Sequence, residues 1–248
     1  MDLIQALAAE LGKDPRHVEN VVHLLDEGNT IPFIARYRKE LHGAMDDTSL
    51  RTLEERLQYL RGLEERREAV KKSIDEQGKL TDELTAAIDS AKTLAEVEDL
   101  YRPYKQKRRT RATMAKEKGL EPLAALLFAQ ERDCPRPEEA ARDFVDPEKG
   151  VETVEDALQG ASDIIAEQIS DDAAIRKSLR ALISRQGQLV SRAATEDDSV
   201  YRLYYDFTQS VARLQGHQVL AINRGEKEGI LKVSITLDRE QALPLLRR

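Results

Sequence analysis

Leu50, Leu53, Leu57, Leu60, Leu63, Val70 and Ile74 recur at steps built from threes and fours between residues 48 and 77, with Glu and Arg filling the gaps. That period places the apolar side chains on one stripe of a single helix about 30 residues long, or ~45 Å at 1.5 Å per residue. Gly78 closes it. A helix of this length overhangs a small core, so the spacing predicts that it bridges two sub-domains or carries one on its far end.

The flanking sequence predicts more helices. Charged residues make up 34% of the chain and aromatics only 4%, with no Trp, a balance that leans towards Ala-, Leu-, Glu- and Arg-rich helices. Residues 2–11 carry Leu3, Ile4, Leu7 and Leu11 and stop at Gly12. Asp14–Pro15 then reads as an N-cap followed by proline at the first helical position, where its missing N–H costs nothing. Val18, Val21, Val22 and Leu25 form the buried stripe of this second helix, which ends at Gly28. In NTIPFIARYRKE, Thr30 is a candidate cap, Phe33, Ile34 and Tyr37 an apolar side, and Arg36, Arg38 and Lys39 a solvated basic side.

Further along, Thr81 opens a helix, and Thr93 with Glu96 forms a capping box ahead of Leu94, Val97 and Leu100. Pro103 and the basic residues after it read as a loop. Residues 120–130 and 138–145 read as helices, Thr153 caps another, and Ser170 caps one that Gly187 stops. VYRLYYDF (200–207) suits a short helix or a strand, and GHQVLAIN reads as a helix ending near Gly225. Leu231, Val233, Ile235 and Leu237 alternate with Lys232, Ser234 and Thr236, which predicts a half-buried strand. A strand needs a partner, and 188–192 is the best candidate. The last residues, QALPLLRR, suggest no closing element, so the reading is the front part of a longer protein.

Most catalytic chemistry is missing. His17, His23, His42 and His217 show neither HExxH nor an i, i+4 pair, there is no GxSxG, and NRGEKEG lacks the ending of a phosphate loop. Asp46–Asp47, Asp171–Asp172 and Asp197–Asp198 sit where helix N-termini are expected and read as caps rather than metal ligands. The single Cys134 can form no internal disulfide or thiolate cluster. The expectation is no enzyme, no cofactor and no metal. No membrane span or signal peptide is visible, which predicts a cytoplasmic chain.

One segment stands apart. YRPYKQKRRTRATMAKEK (101–118) holds eight Lys and Arg against one acid, although the chain as a whole carries −7. The remainder therefore carries about −14, and any phosphate contact must be confined to a patch. Arg102, Lys105, Lys107, Arg108, Arg109 and Arg111 could neutralise phosphates, with Tyr101 and Tyr104 stacking on exposed bases. Alternatively, these cations dock on acidic surfaces of the same protein or of another domain.

Taken together, NTIPFIARYRKE, LEERLQYLRGLEERR, SIDEQGKLTDEL, EDLYRPYKQKRRTRATMAKEKGLEPLA and AINRGEKEGILKVSI resemble the N-terminal part of the Tex family of bacterial transcription accessory proteins, from about residue 1 to 240 and in order. The resemblance implies a cytoplasmic, non-enzymatic protein linked to transcription that binds RNA or DNA. It implies a mainly α fold: an elongated multihelical scaffold with a helix-turn-helix-like insertion and a short β-strand near the C-terminus. The layout expected on that basis is an N-terminal helical region with the long helix (1–72), the insertion (73–195), and a return to the helical core plus a strand (196–248). Full-length members continue into an RNase H-like domain, tandem helix-hairpin-helix elements and an OB-fold RNA-binding domain, all beyond this sequence. The expected partners are therefore nucleic acid, held weakly by the basic loop and Tyr104, the transcription machinery and those downstream domains. A protein–protein docking module for the transcription or translation machinery, with no nucleic-acid contact, is the alternative.

Overall fold

A computed structural model describes residues 3–131, 134–196 and 198–247. The chain forms two compact units, Met1–Tyr101 and Arg102–Arg248, and it is mainly α-helical.

The first unit is built on the long helix. Helices α1 (Leu3–Leu11), α2 (Pro15–Asp26) and α3 (Ile31–Tyr37) pack on the N-terminal half of α4 (Asp47–Asp75), while α5 (Asp82–Ser90) and α6 (Leu94–Tyr101) pack on it further along. The cause is the leucine stripe. Leu50, Leu53 and Leu57 join Leu7, Val18, Val21, Ile31 and Ile34 in one core, and Leu63, Val70 and Ile74 are buried further on. Asp46 caps α4 by accepting the Ser49 N–H at 2.8 Å, and Asp14 caps α2 ahead of Pro15. Gly78 takes a left-handed φ of 66° just past the end of α4, a conformation that favours glycine. Arg66 to Glu98 (2.5 Å), Lys71 to Asp89 (2.8 Å) and the Ser73–Tyr101 hydroxyl pair (3.0 Å) tie α4 to the two helices on its far part.

In α2 the buried leucine is Leu24, with Leu25 only partly covered. Thr30 makes no side-chain cap to α3, and the buried side of that helix is Ile31 and Ile34. Phe33 and Tyr37 lie on the side left to solvent, because the two isoleucines three residues apart turn it away from the core.

The second unit joins a small-residue helical core to a sheet. Helices α7 (Arg111–Glu117), α8 (Glu121–Ala129), α9 (Pro137–Arg142) and α10 (Val154–Asp171) bury Ala112, Ala115, Leu120, Leu123, Ala140, Ala141, Ala157, Ala161 and Ile164 against one another. Alanines allow close approach: a Cβ on Gly160 of α10 would lie 2.3 Å from Leu120 Cδ1 and 3.3 Å from Ala115 Cβ. Thr153 and Asp156 close a reciprocal capping box at the start of α10. Next come α11 (Ala173–Gln186), β1 (Gln188–Ala193), β2 (Asp206–Ser210), α12 (Gly216–Lys227), β3 (Leu231–Thr236) and α13 (Arg239–Leu246).

The sheet is antiparallel in the order β2-β1-β3, with Gln188 opposite both Ser210 and Thr236. The predicted strand thus finds the predicted partner, and the aromatic stretch resolves into a 3-10 turn at Arg202–Tyr204 leading into β2. Burial fades along β3, from Leu231 to an exposed Ile235.

Four further expectations are corrected. The basic run is a loop only as far as residue 110; Thr110 accepts the Thr113 N–H at 3.0 Å and starts α7, whose Ala112 and Ala115 are buried. Ser170 lies inside α10, and the cap of α11 is Asp172, which accepts the Ile175 N–H at 2.8 Å. Gly225 is buried inside α12, which runs on to Lys227. Residues 239–246 form a helix that packs on α11. Of the acidic pairs, Asp46 and Asp172 are caps, whereas Asp197 lies outside the described residues. No described helix is long and apolar enough to cross a membrane.

Candidate nucleic-acid interface

Helix α10 presents Asp163, Glu167 and Asp171 at i, i+4 and i+8, a spacing that aligns three carboxylates along one side of a helix. The basic segment runs beside this row. Arg102, in the 3-10 turn Arg102–Tyr104, donates from Nε to Asp171 Oδ1 at 2.8 Å. Lys107 bonds the other oxygen of Asp171 and lies 3.4 Å from Glu167 Oε1. Thr110 Oγ1 donates to Glu167 Oε1 at 3.1 Å, and Arg111 Nε stands 3.7 Å from Asp163 Oδ1. The chain therefore zips along α10 in reverse order, from Asp171 back to Asp163.

Burial explains why these pairs form. The Asp171 side chain is only 11% exposed, and a carboxylate so far removed from water needs a cation beside it. Arg102 and Lys107 supply two. Arg111, by contrast, is 80% exposed and its contact is long, so it is bound loosely. Clefts of about 330 Å³ and 460 Å³ border Lys107, the first lined by Arg102, Arg111, Asp163 and Ser170, the second by Pro103, Lys105, Lys116 and Asp172.

The other predicted residues are placed differently. Arg109 turns away from α10 and donates to Glu117 at 2.8 Å. Lys105 and Arg108 are exposed and have no carboxylate within ion-pair distance among the described residues. Tyr104 is half-buried in the 3-10 turn. Tyr101 is half-buried within the first unit, its hydroxyl bonded to Ser73 and the Arg66 guanidinium 5.4 Å from its ring centroid.

The sequence reading missed the acidic row of α10, although its i, i+4, i+8 spacing was visible in ASDIIAEQISD. Among the described residues no three His, Cys, Asp or Glu side chains converge on a metal-sized site. His42 is a core residue, 1% exposed.

Comparison with known proteins finds one family match within each unit. Residues 1–75 match the Tex-like protein N-terminal domain, and residues 133–245 match the Tex central region-like family. The chain is 47% identical, over 94% of its length, to protein YhgF of Escherichia coli (strain K12), of which it covers 30%. It is 43% identical, over 95% of its length, to the transcriptional accessory protein Tex of Neisseria gonorrhoeae, covering 31% of that protein. Over 95% of its length it is also 30% identical to the human S1 RNA-binding domain-containing protein 1, covering 24% of it. The chain thus spans about a quarter to a third of the length of these relatives.

Proposed function

Since this chain belongs to the Tex family, we propose that it is the N-terminal scaffold portion of a cytoplasmic transcription accessory protein, non-enzymatic and acting on nucleic acid. Its helices position downstream nucleic-acid-binding domains, and its basic segment adds a weak phosphate contact. The names of the relatives, a transcriptional accessory protein and an S1 RNA-binding domain-containing protein, support the nucleic-acid role.

The observation that carries the weak contact is the division of cations between α10 and solvent. Arg102, Lys107 and Arg111 face carboxylates of α10 and Arg109 faces Glu117, leaving Lys105 and Arg108 for phosphate. Two phosphate contacts give a slope of log affinity against log salt near −1.8 on duplex DNA, instead of about −3.6 for four. Fluorescence anisotropy of a labelled duplex across a salt series measures it. Replacing Lys105 and Arg108 by Ala should flatten the slope to near zero; binding with an unaltered slope would remove the phosphate role of this segment.

Docking on the transcription or translation machinery is favoured by a different observation. Val200 and Leu203 of the second unit are 87% and 84% exposed. Replacing both by Ser should abolish co-sedimentation with purified RNA polymerase or ribosomes on this reading, with nucleic-acid affinity untouched.

A further inference from the structure

Helix α3 and the turn after it combine features that the basic segment lacks. Ile31 and Ile34 bury one side of α3, which leaves Phe33 and Tyr37, one turn apart, on the outer side. Their ring centroids are 5.3 Å apart with the planes tilted by 47°. Tyr37 is 56% exposed, and it is the one tyrosine of seven that the fold leaves exposed. Solvating a tyrosine ring so openly forfeits burial that an aromatic of this size normally gains.

Cations surround the pair. The Arg38 guanidinium lies 5.3 Å from the Phe33 centroid and that of Arg36 lies 6.0 Å from the Tyr37 centroid. Arg38 also donates to the Tyr37 carbonyl at 3.3 Å, which holds it over this side of the helix. Among the described residues no carboxylate pairs with Arg36, Arg38 or Lys39, and the acid next in sequence, Glu40, is exposed and unattached. The contrast with the basic segment is chemical: there the folded chain supplies anions to four of the six cations, whereas here, among the described residues, three cations beside two rings have none.

We propose that this surface of α3 is a binding platform for single-stranded nucleic acid, with bases stacking on Tyr37 and Phe33 while Arg36, Arg38 and Lys39 take the phosphates. Rings beside unpaired cations fit a single strand because its bases are free to stack, whereas a duplex keeps them inside. Arginines already poised over the rings add cation–π contact without further ordering. The platform lies in the first unit and does not need the basic segment to touch phosphate.

Tyrosine fluorescence tests it directly, since the chain has no Trp and Tyr37 is its exposed tyrosine. Titration of the chain with unlabelled oligo-dT or oligo-U in low salt should quench that emission, while a duplex of equal length should quench it weakly. Tyr37→Phe should keep the affinity, read by anisotropy of a labelled strand, and lose the quench. Tyr37→Ala should weaken binding roughly tenfold, as loss of one stacked base does. Joint replacement of the exposed Arg36 and Lys39 by Ala should reduce the single-strand salt slope by about 1.4. Lys105→Ala with Arg108→Ala should leave the quench unchanged, which separates this platform from the basic segment. Far-UV circular dichroism confirms that each variant is helical. Absence of quenching with the single strands, or a Tyr37→Ala chain that binds them as the unaltered chain does, overturns the proposal, as does equal quenching by the duplex or by an anionic phosphopeptide.

Discussion

Arg56 and Arg61, both on α4, each grip a carboxylate of another helix with two hydrogen bonds: Glu10 at 2.7 and 2.9 Å, and Asp26 at 2.7 and 2.9 Å. The hydrogen bond from Arg61 holds the Asp26 carboxyl below its ordinary range, and Arg56 does the same for Glu10. A carboxylate whose pKa is lowered on folding stabilises the fold above its unfolded value, near 3.9 for Asp, and loses that contribution as pH falls through the folded value. Both pairs are partly open to water, so each contributes only about 0.5 kcal/mol after screening. Asp26→Asn should therefore unfold in urea at slightly lower concentration than the native chain at pH 7. The gap should close as the solution is acidified below pH 4. Parallel urea curves at the two pH values check it, and a gap that widens in acid would contradict the assignment.

Helices α7, α8 and α10 approach as closely as they do because Gly160 has no side chain. Gly160→Ala gains up to about 1 kcal/mol of helix propensity. Against that, the new methyl would sit 2.3 Å from Leu120 Cδ1, in a core where overpacking costs typically 1–3 kcal/mol. Overpacking wins because Leu120 is itself fully buried, so the expected result is a net loss of about 1 kcal/mol in chemical denaturation. A more stable variant would mean that Leu120 can repack freely. Long, strongly periodic elements were legible: α4 from its leucine stripe and caps, β3 from alternation, and β1 only as the partner that β3 required. Helix α7 was not, because six basic side chains near its start resemble a solvated loop while its structural signal is two alanines three residues apart. Helix α13 was hidden by Pro244 inside it, and the α10–α11 boundary by two adjacent acids of which only Asp172 caps.

Charge across the whole chain brings these levels together. A positive segment lies within a chain of net charge −7, and part of the balancing charge is the row Asp163, Glu167 and Asp171, which already faces Arg102, Lys107 and Arg111. The cations were legible as a local excess; their partners were not, because they come from more than fifty residues downstream and only folding brings them together. Such a row does one of two things. It competes with nucleic acid for Arg102, Lys107 and Arg111, or it fixes those side chains in place for a contact made by their outer faces. Neutralising it as Asp163→Asn, Glu167→Gln and Asp171→Asn moves the net charge from −7 to −4. If the row competes, three cations become free beside Lys105 and Arg108, making five, and the duplex salt slope should steepen from about −1.8 towards −4.5. Ordering the released segment opposes this at roughly 1–2 kcal/mol per residue fixed, so the gain should be largest at low salt, where each phosphate contact is strongest. The expected outcome is the steeper slope, because buried Asp171 already occupies both Arg102 and Lys107. Weaker binding with an unchanged or flatter slope would instead make α10 a support that holds its cations ready, and the competition would be ruled out.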